Sequence, residues 1–179
     1  MSYAKLINEK VVERIVGLLK FLPSKIGEES VQLPIARRAE DFPFMISQFG
    51  LVPAITFFLS KIEKNTQNVF VYGLNYFSNK TIDESKDNEK IRLLSHDAVF
   101  PEGRGYASYL AIVLVWPLGE IIENIENIKD LSGSSLAKEA DPHKYLLKKV
   151  GMIEGYATKI EIMSMPRLLE LKKITRALV

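Results

Sequence analysis

The sequence contains no cysteine. That excludes disulfides, thiolate metal sites and cysteine nucleophiles. Histidine occurs only twice, at His96 and His143. Long apolar runs are missing as well. The longest, 109–119, is about 11 residues and holds Pro117, whereas a bilayer span needs roughly 20. The first twenty residues place charges among their apolar positions every few residues, unlike a secretory signal. Charge of one sign is scarce too, since the net is +2. These absences point to a soluble, cytoplasmic chain that does not enter a membrane.

What is present is the composition of a folded domain. The chain has 179 residues, of which 47% are hydrophobic and 26% charged, enough to bury a proper core. No internal repeat, low-complexity segment or domain boundary is visible, so 1–179 reads as one domain. The charge is uneven along it. Over 81–130 acidic residues exceed basic ones by five, and over 144–176 the balance reverses by five. A basic C-terminal third could face phosphate, or it could simply be solvated helix surface.

Apolar residues recur at helical spacing almost everywhere. Leu6, Val11, Ile15, Leu18 and Leu22 mark a first helix that should stop before Pro23. Pro34 suits a first helical turn, and Ala36 to Glu40 favour continuing it. Pro43 should kink or restart that helix. Gly50 can end it in a left-handed conformation. Leu51, Ile55, Phe58 and Ile62 then form the apolar stripe of the next helix, with Lys61 and Lys64 in its last turn.

Residues 69–77 have strand-like composition but no second strand to pair with, so they read as helix. A surface loop and a short helix are expected across 78–105. Residues 106–128 read as one long buried helix kinked at Pro117. Asp141-Pro142 opens a further helix as N-cap and first residue. Leu146, Val150, Ile153, Ala157 and Ile160 follow at spacings of four and three. Met165-Pro166 should interrupt the chain before a last helix through Leu168, Leu171, Ile174 and Leu178. The expected fold is all-α, a single bundle of about six to eight helices, several kinked at prolines.

No catalytic or metal site and no cofactor is expected. His96-Asp97 invites comparison with helical HD phosphohydrolases, where such a pair bridges metal ions. That chemistry needs another histidine upstream, and none precedes His96. Gly103-Arg104-Gly105 lacks the ending of a phosphate loop and follows no strand. The chemistry-bearing residues that remain are basic: Arg37, Arg38, Lys61, Lys64, Lys144, Lys148, Lys149, Lys172, Lys173 and Arg176. Lys144, Lys148 and Lys149 share one side of a helix, as do the C-terminal three. Such clusters neutralise phosphates without reading bases.

Pro43, Met45-Ile46, Gly50-Leu51 and Phe57 or Phe58 through Leu59-Ser60-Lys61 keep the spacing of a proline, an aliphatic pair, a Gly-Leu and an aromatic-aliphatic-small-Lys ending. Tyr156-Ala157-Thr158 with Glu161-Ile162-Met163 gives a second, weaker match. With these residues the chain resembles the small all-α subunit of the type III-B CRISPR RNA-guided effector, the Cmr complex. It departs from that pattern at Phe49, at Met165-Pro166 and in the longer acidic stretch before Gly105. The resemblance implies a non-catalytic subunit of an antiviral ribonucleoprotein. Its partners would be other effector subunits, copies of itself, and the backbones of guide RNA and target RNA. Small subunits of type III-A or I-A effectors, an HD-type phosphohydrolase and a helical adaptor unrelated to nucleic acid remain the other readings.

Overall fold

A computed structural model describes residues 8–19, 34–64, 66–78 and 104–177. Among them there is no strand, and seven helices have eight residues or more. The all-α bundle expected from the sequence is what forms. The helices are α1 (Glu9–Leu19), α2 (Pro34–Phe49), α3 (Leu51–Lys61), α4 (Gln67–Ser78), α5 (Arg104–Val115), the short α6 (Gly119–Ile122) and α7 (Gly133–Leu136), α8 (Pro142–Lys149) and α9 (Ala157–Ala177). The segment expected as helix at 69–77 lies within α4. Most of the loop and short helix expected across 78–105, with His96 and Asp97, lies outside the described residues.

Helix α5 is the axis of the bundle. Its side chains from Tyr106 to Leu114 are buried, and α2, α3, α4 and α7 pack around it. Phe42 and Phe58 meet Tyr109 at ring separations of 5.6 and 5.7 Å, and meet each other at 5.0 Å. These edge-on and tilted contacts are the ones aromatic quadrupoles favour. The window Gly105–Ile122 has the length and a mean hydropathy, 1.5, that would suit a membrane span. Of that window 83% is buried inside the protein, which makes it a core segment.

The break expected at Pro166 and the single helix expected to Ile128 do not form, and Pro43 does not restart its helix, for physical reasons. Helix α2 runs through Pro43, and α9 runs through Pro166. In each case the buried stripe continues in register across the proline: Ala39, Phe42 and Ile46 in α2, and Ile160, Ser164, Leu168 and Leu171 in α9. Packing on both sides outweighs the hydrogen bond that proline removes, a loss of about 3 kcal/mol in an unsupported helix. The opposite happens after α5. The long helix expected to Ile128 ends at Val115. Pro117 has no N–H to give, and the Leu118 N–H reaches Val113 O, a wider turn than an α-helix makes, at 2.8 Å. The chain then closes on itself so tightly that a Cβ at Gly119 would sit 1.8 Å from the Leu114 carbonyl oxygen. Ile125 and Ile128 still point inward from the turns that follow.

Helix ends are tied to other elements. Asn8 caps α1 through the Val11 N–H and donates its amide to Glu120 Oε1 at 2.7 Å. The other Glu120 oxygen accepts from Arg167 at 2.8 Å, so one carboxylate links the N-terminal, central and C-terminal parts of the chain. Buried Arg14 donates to Phe77 O near the end of α4, while Tyr76 returns a hydrogen bond to Arg14 O. Burial lowers the Arg14 pKa from its usual value. Asp141 caps α8 as expected, accepting from the Lys144 N–H at 3.1 Å. Leu146, Val150, Ile153, Ala157 and Ile160 are all buried, yet the backbone between α8 and α9 tightens into a 3₁₀ turn over Val150–Tyr156.

Gly50 alone joins α2 to α3, at φ 96° and ψ 167°. Its φ is positive as expected, but ψ places it in an extended region that only glycine occupies readily, not in the left-handed helical one. Its N–H still closes the last turn of α2 onto Ile46 O, and its own carbonyl accepts from Ala54. The freed Leu51 N–H is taken by Glu161 Oε1 of α9 at 2.8 Å, a carboxylate at a helix N-terminus. Gly50→Val should cost at least about 1 kcal/mol through backbone strain. A melting temperature equal to that of the parent chain would contradict this account of the turn.

Three buried polar atoms on or just after α5 have no hydrogen-bond partner: Ser108 Oγ, Tyr109 Oη and Trp116 Nε1. The Tyr109 pKa is raised well above its ordinary value, first by burial and then by the charge of Asp41. A buried hydroxyl without a partner carries a desolvation cost and nothing to offset it. Tyr109→Phe should therefore be at least as stable as the parent, with a gain of up to about 1 kcal/mol in urea unfolding. A clear loss would mean that the hydroxyl is bonded in solution.

Candidate nucleic-acid interface

The structure sorts eight of the ten basic residues into two regions and ties Arg38 and Lys149 to partners of their own. One lies along the seam of α2 and α9, which run antiparallel: Glu40 of α2 pairs with Arg176, and Leu51, just past its end, meets Glu161. This region holds Arg37, Lys172, Lys173 and Arg176. The other gathers where the end of α3 meets the start of α8. There His143 Nε2 lies 3.0 Å from Leu59 O and its ring stands edge-on to Phe70. This region holds Lys61, Lys64, Lys144 and Lys148.

Several of these cations are already engaged. Arg38 is only 13% exposed and pairs with Asp41 at 2.7 Å. Its guanidinium also lies 4.1 Å over the Tyr106 ring and donates to the Tyr106 hydroxyl. Lys173 pairs with Glu170 within its own helix at 3.2 Å. Lys61 sits 5.1 Å from the Phe57 ring centroid. Arg37, Lys64, Lys144, Lys148 and Lys172 have no ion pair among the described residues, and the first four are exposed.

Lys149 does not share the role of Lys148. It donates to the Tyr145 hydroxyl at 2.9 Å and lies 3.4 Å from Asp130, while Tyr145 donates to the same Asp130 oxygen. The Asp130 pKa is lowered, first by the Tyr145 hydrogen bond and then by Lys149, and that of Lys149 is raised, first by Tyr145. A carboxylate with a lowered pKa stabilises above its ordinary range and loses that contribution as pH falls through the lowered value. The triad is thus intact at neutral pH and ties the 3₁₀ turn at Lys129–Leu131 to α8. Sequence spacing put Lys149 on the same helix side as its neighbours. It could not show the acidic partner nineteen positions earlier.

Apolar exposure is the feature that the sequence did not single out. Phe44, Phe49, Ile162, Met163 and Leu169 are 64%, 68%, 70%, 49% and 43% exposed. They lie on the two helices that form the antiparallel seam. Ile162 and Met163 also line an open groove with Tyr156, Thr158 and Lys159. Aromatic and aliphatic side chains off the buried stripe of a helix were the available signal, since Phe44 and Phe49 fall between the buried positions of α2.

No group of three or more histidine, cysteine, aspartate or glutamate side chains able to hold a metal ion occurs among the described residues. Comparison with protein-family models, with characterised protein sequences and with solved structures finds no match.

The split between Lys148 and Lys149 is directly testable. Lys148→Glu should leave the melting temperature unchanged, because its side chain is solvated. Lys149→Glu should lower it, by placing a third anionic or polar oxygen against Asp130 and Tyr145. Equal behaviour of the two variants would show that the triad does not form.

Proposed function

We propose that this chain is a non-catalytic small subunit of a type III-B CRISPR effector, packing beside neighbouring subunits and along the RNA they hold. The observation that carries the reading is the exposed apolar seam of α2 and α9. Five large side chains between 43% and 70% exposed on adjacent helices suit a surface that other protein covers. The seam includes the first part of the segment that resembles the Cmr small subunit, Pro43 to Lys61, which folds as two helices joined at Gly50.

The basic residues support the same reading. The unpaired cations Arg37, Lys64, Lys144 and Lys148 are exposed and suited to phosphate contact, which fixes position without reading sequence. Lys61 and Lys172 belong to the same two regions. Arg38, Lys149, Lys173 and Arg176 are held by carboxylates of the chain itself, so their share in RNA contact is smaller. Nuclease chemistry would belong to other subunits, in the cytoplasm.

The decisive experiment is purification of the tagged chain from its native host at low salt, followed by sequencing of bound RNA and identification of bound proteins. The expected result is a set of short guide RNAs together with larger effector subunits. Recovery of the chain alone, or with proteins and no RNA, overturns the proposal.

A further inference from the structure

Phe57 stands apart from the rest of α3. The buried residues of that helix are Leu51, Ala54, Ile55, Phe58 and Leu59, and Phe57 falls on the solvated side with Thr56, Ser60 and Lys61. It is 39% exposed. Its ring is not loose. Tyr106 meets it edge-on at 6.1 Å and 71°, and Phe58 lies 6.3 Å away.

One cation lies at this ring and another at the neighbouring Tyr106 ring. Lys61 Nζ is 5.1 Å from the Phe57 centroid. Arg38 is stacked on Tyr106 and clamped by Asp41. The Asp41 carboxylate is thereby neutralised. Arg37, adjacent in α2, is exposed and unpaired among the described residues. The row Arg38–Tyr106–Phe57–Lys61 therefore sets two touching rings between two cations across three helices.

An exposed, fixed aromatic face next to mobile cations is the chemistry that holds single-stranded nucleic acid: bases stack on the ring and phosphates meet the cations. We propose that Phe57 is a stacking platform for one unpaired base of single-stranded RNA, with Lys61 taking a flanking phosphate. The inference rests on the RNA-bordering role proposed above and adds a contact to a base, where the other cations can meet only the backbone. Lys61, now over the ring, would swing to the phosphate as the base takes its place.

The test uses the single native tryptophan as an internal control. Trp116 is fully buried and should not respond to added RNA. Phe57→Trp keeps the ring and adds a reporter, and its emission should be quenched saturably by an unstructured oligoribonucleotide. Heparin, a polyanion without bases, and an acidic peptide should not quench it. Phe57→Leu, which keeps bulk but removes the π face, should bind the oligoribonucleotide about tenfold more weakly with the same salt slope. Equal quenching by heparin or by the acidic peptide, or equal affinity of the leucine variant, overturns the stacking site and leaves the backbone contacts standing. Failure of the parent chain to bind the oligoribonucleotide at all overturns both the site and the RNA-bordering role.

Discussion

Burial of α5 on all sides is the constraint that the rest of the molecule obeys. A helix with apolar residues all round cannot present a face to water, so other helices must enclose it. Two of its neighbours, α2 and α3, come as a hairpin, and their Phe42 and Phe58 fill the space against Tyr109. The arrangement tolerates two interior prolines elsewhere because each lies in a helix whose buried stripe is anchored on this core. It also tolerates orphaned polar atoms at Ser108, Tyr109 and Trp116, a cost that the surrounding apolar contacts absorb.

Fold class was legible because the apolar spacing is helical throughout, and burial was legible residue by residue. Ile125, Ile128, Leu146, Val150 and Ile153 are inside, as their spacing requires. Backbone continuity was not legible in the same way. Periodicity registers which side chains face inward, and turns or 3₁₀ segments can satisfy nearly the same periodicity as an α-helix. That is why 106–128 read as one helix and is in fact a helix followed by turns. At Pro166 the error has the other sign, since local propensity was overridden by packing that no single segment displays.

The surface was the hardest part to read. A lysine in a sequence carries no sign of whether an aspartate will fold against it. Arg38, Lys149 and Arg176 each find a carboxylate at the surface, by local turn or by distant packing. What separates them from Lys144 and Lys148 is tertiary. The exposed phenylalanines show the converse: their positions between buried residues were visible, but only the packing of α9 beside α2 sets them on a helix neighbouring Ile162, Met163 and Leu169.

Gly50 has a consequence beyond the hairpin. A Cβ added there in the natural configuration would meet nothing nearer than 3.8 Å, so crowding is not what excludes a side chain. The obstacle is handedness. The mirror image of φ 96° and ψ 167° is ordinary extended backbone, which residues of the natural hand occupy freely. The turn thus asks for the opposite chirality, which the ribosome does not supply. Glycine, being achiral, is the one encoded residue that meets the request without strain.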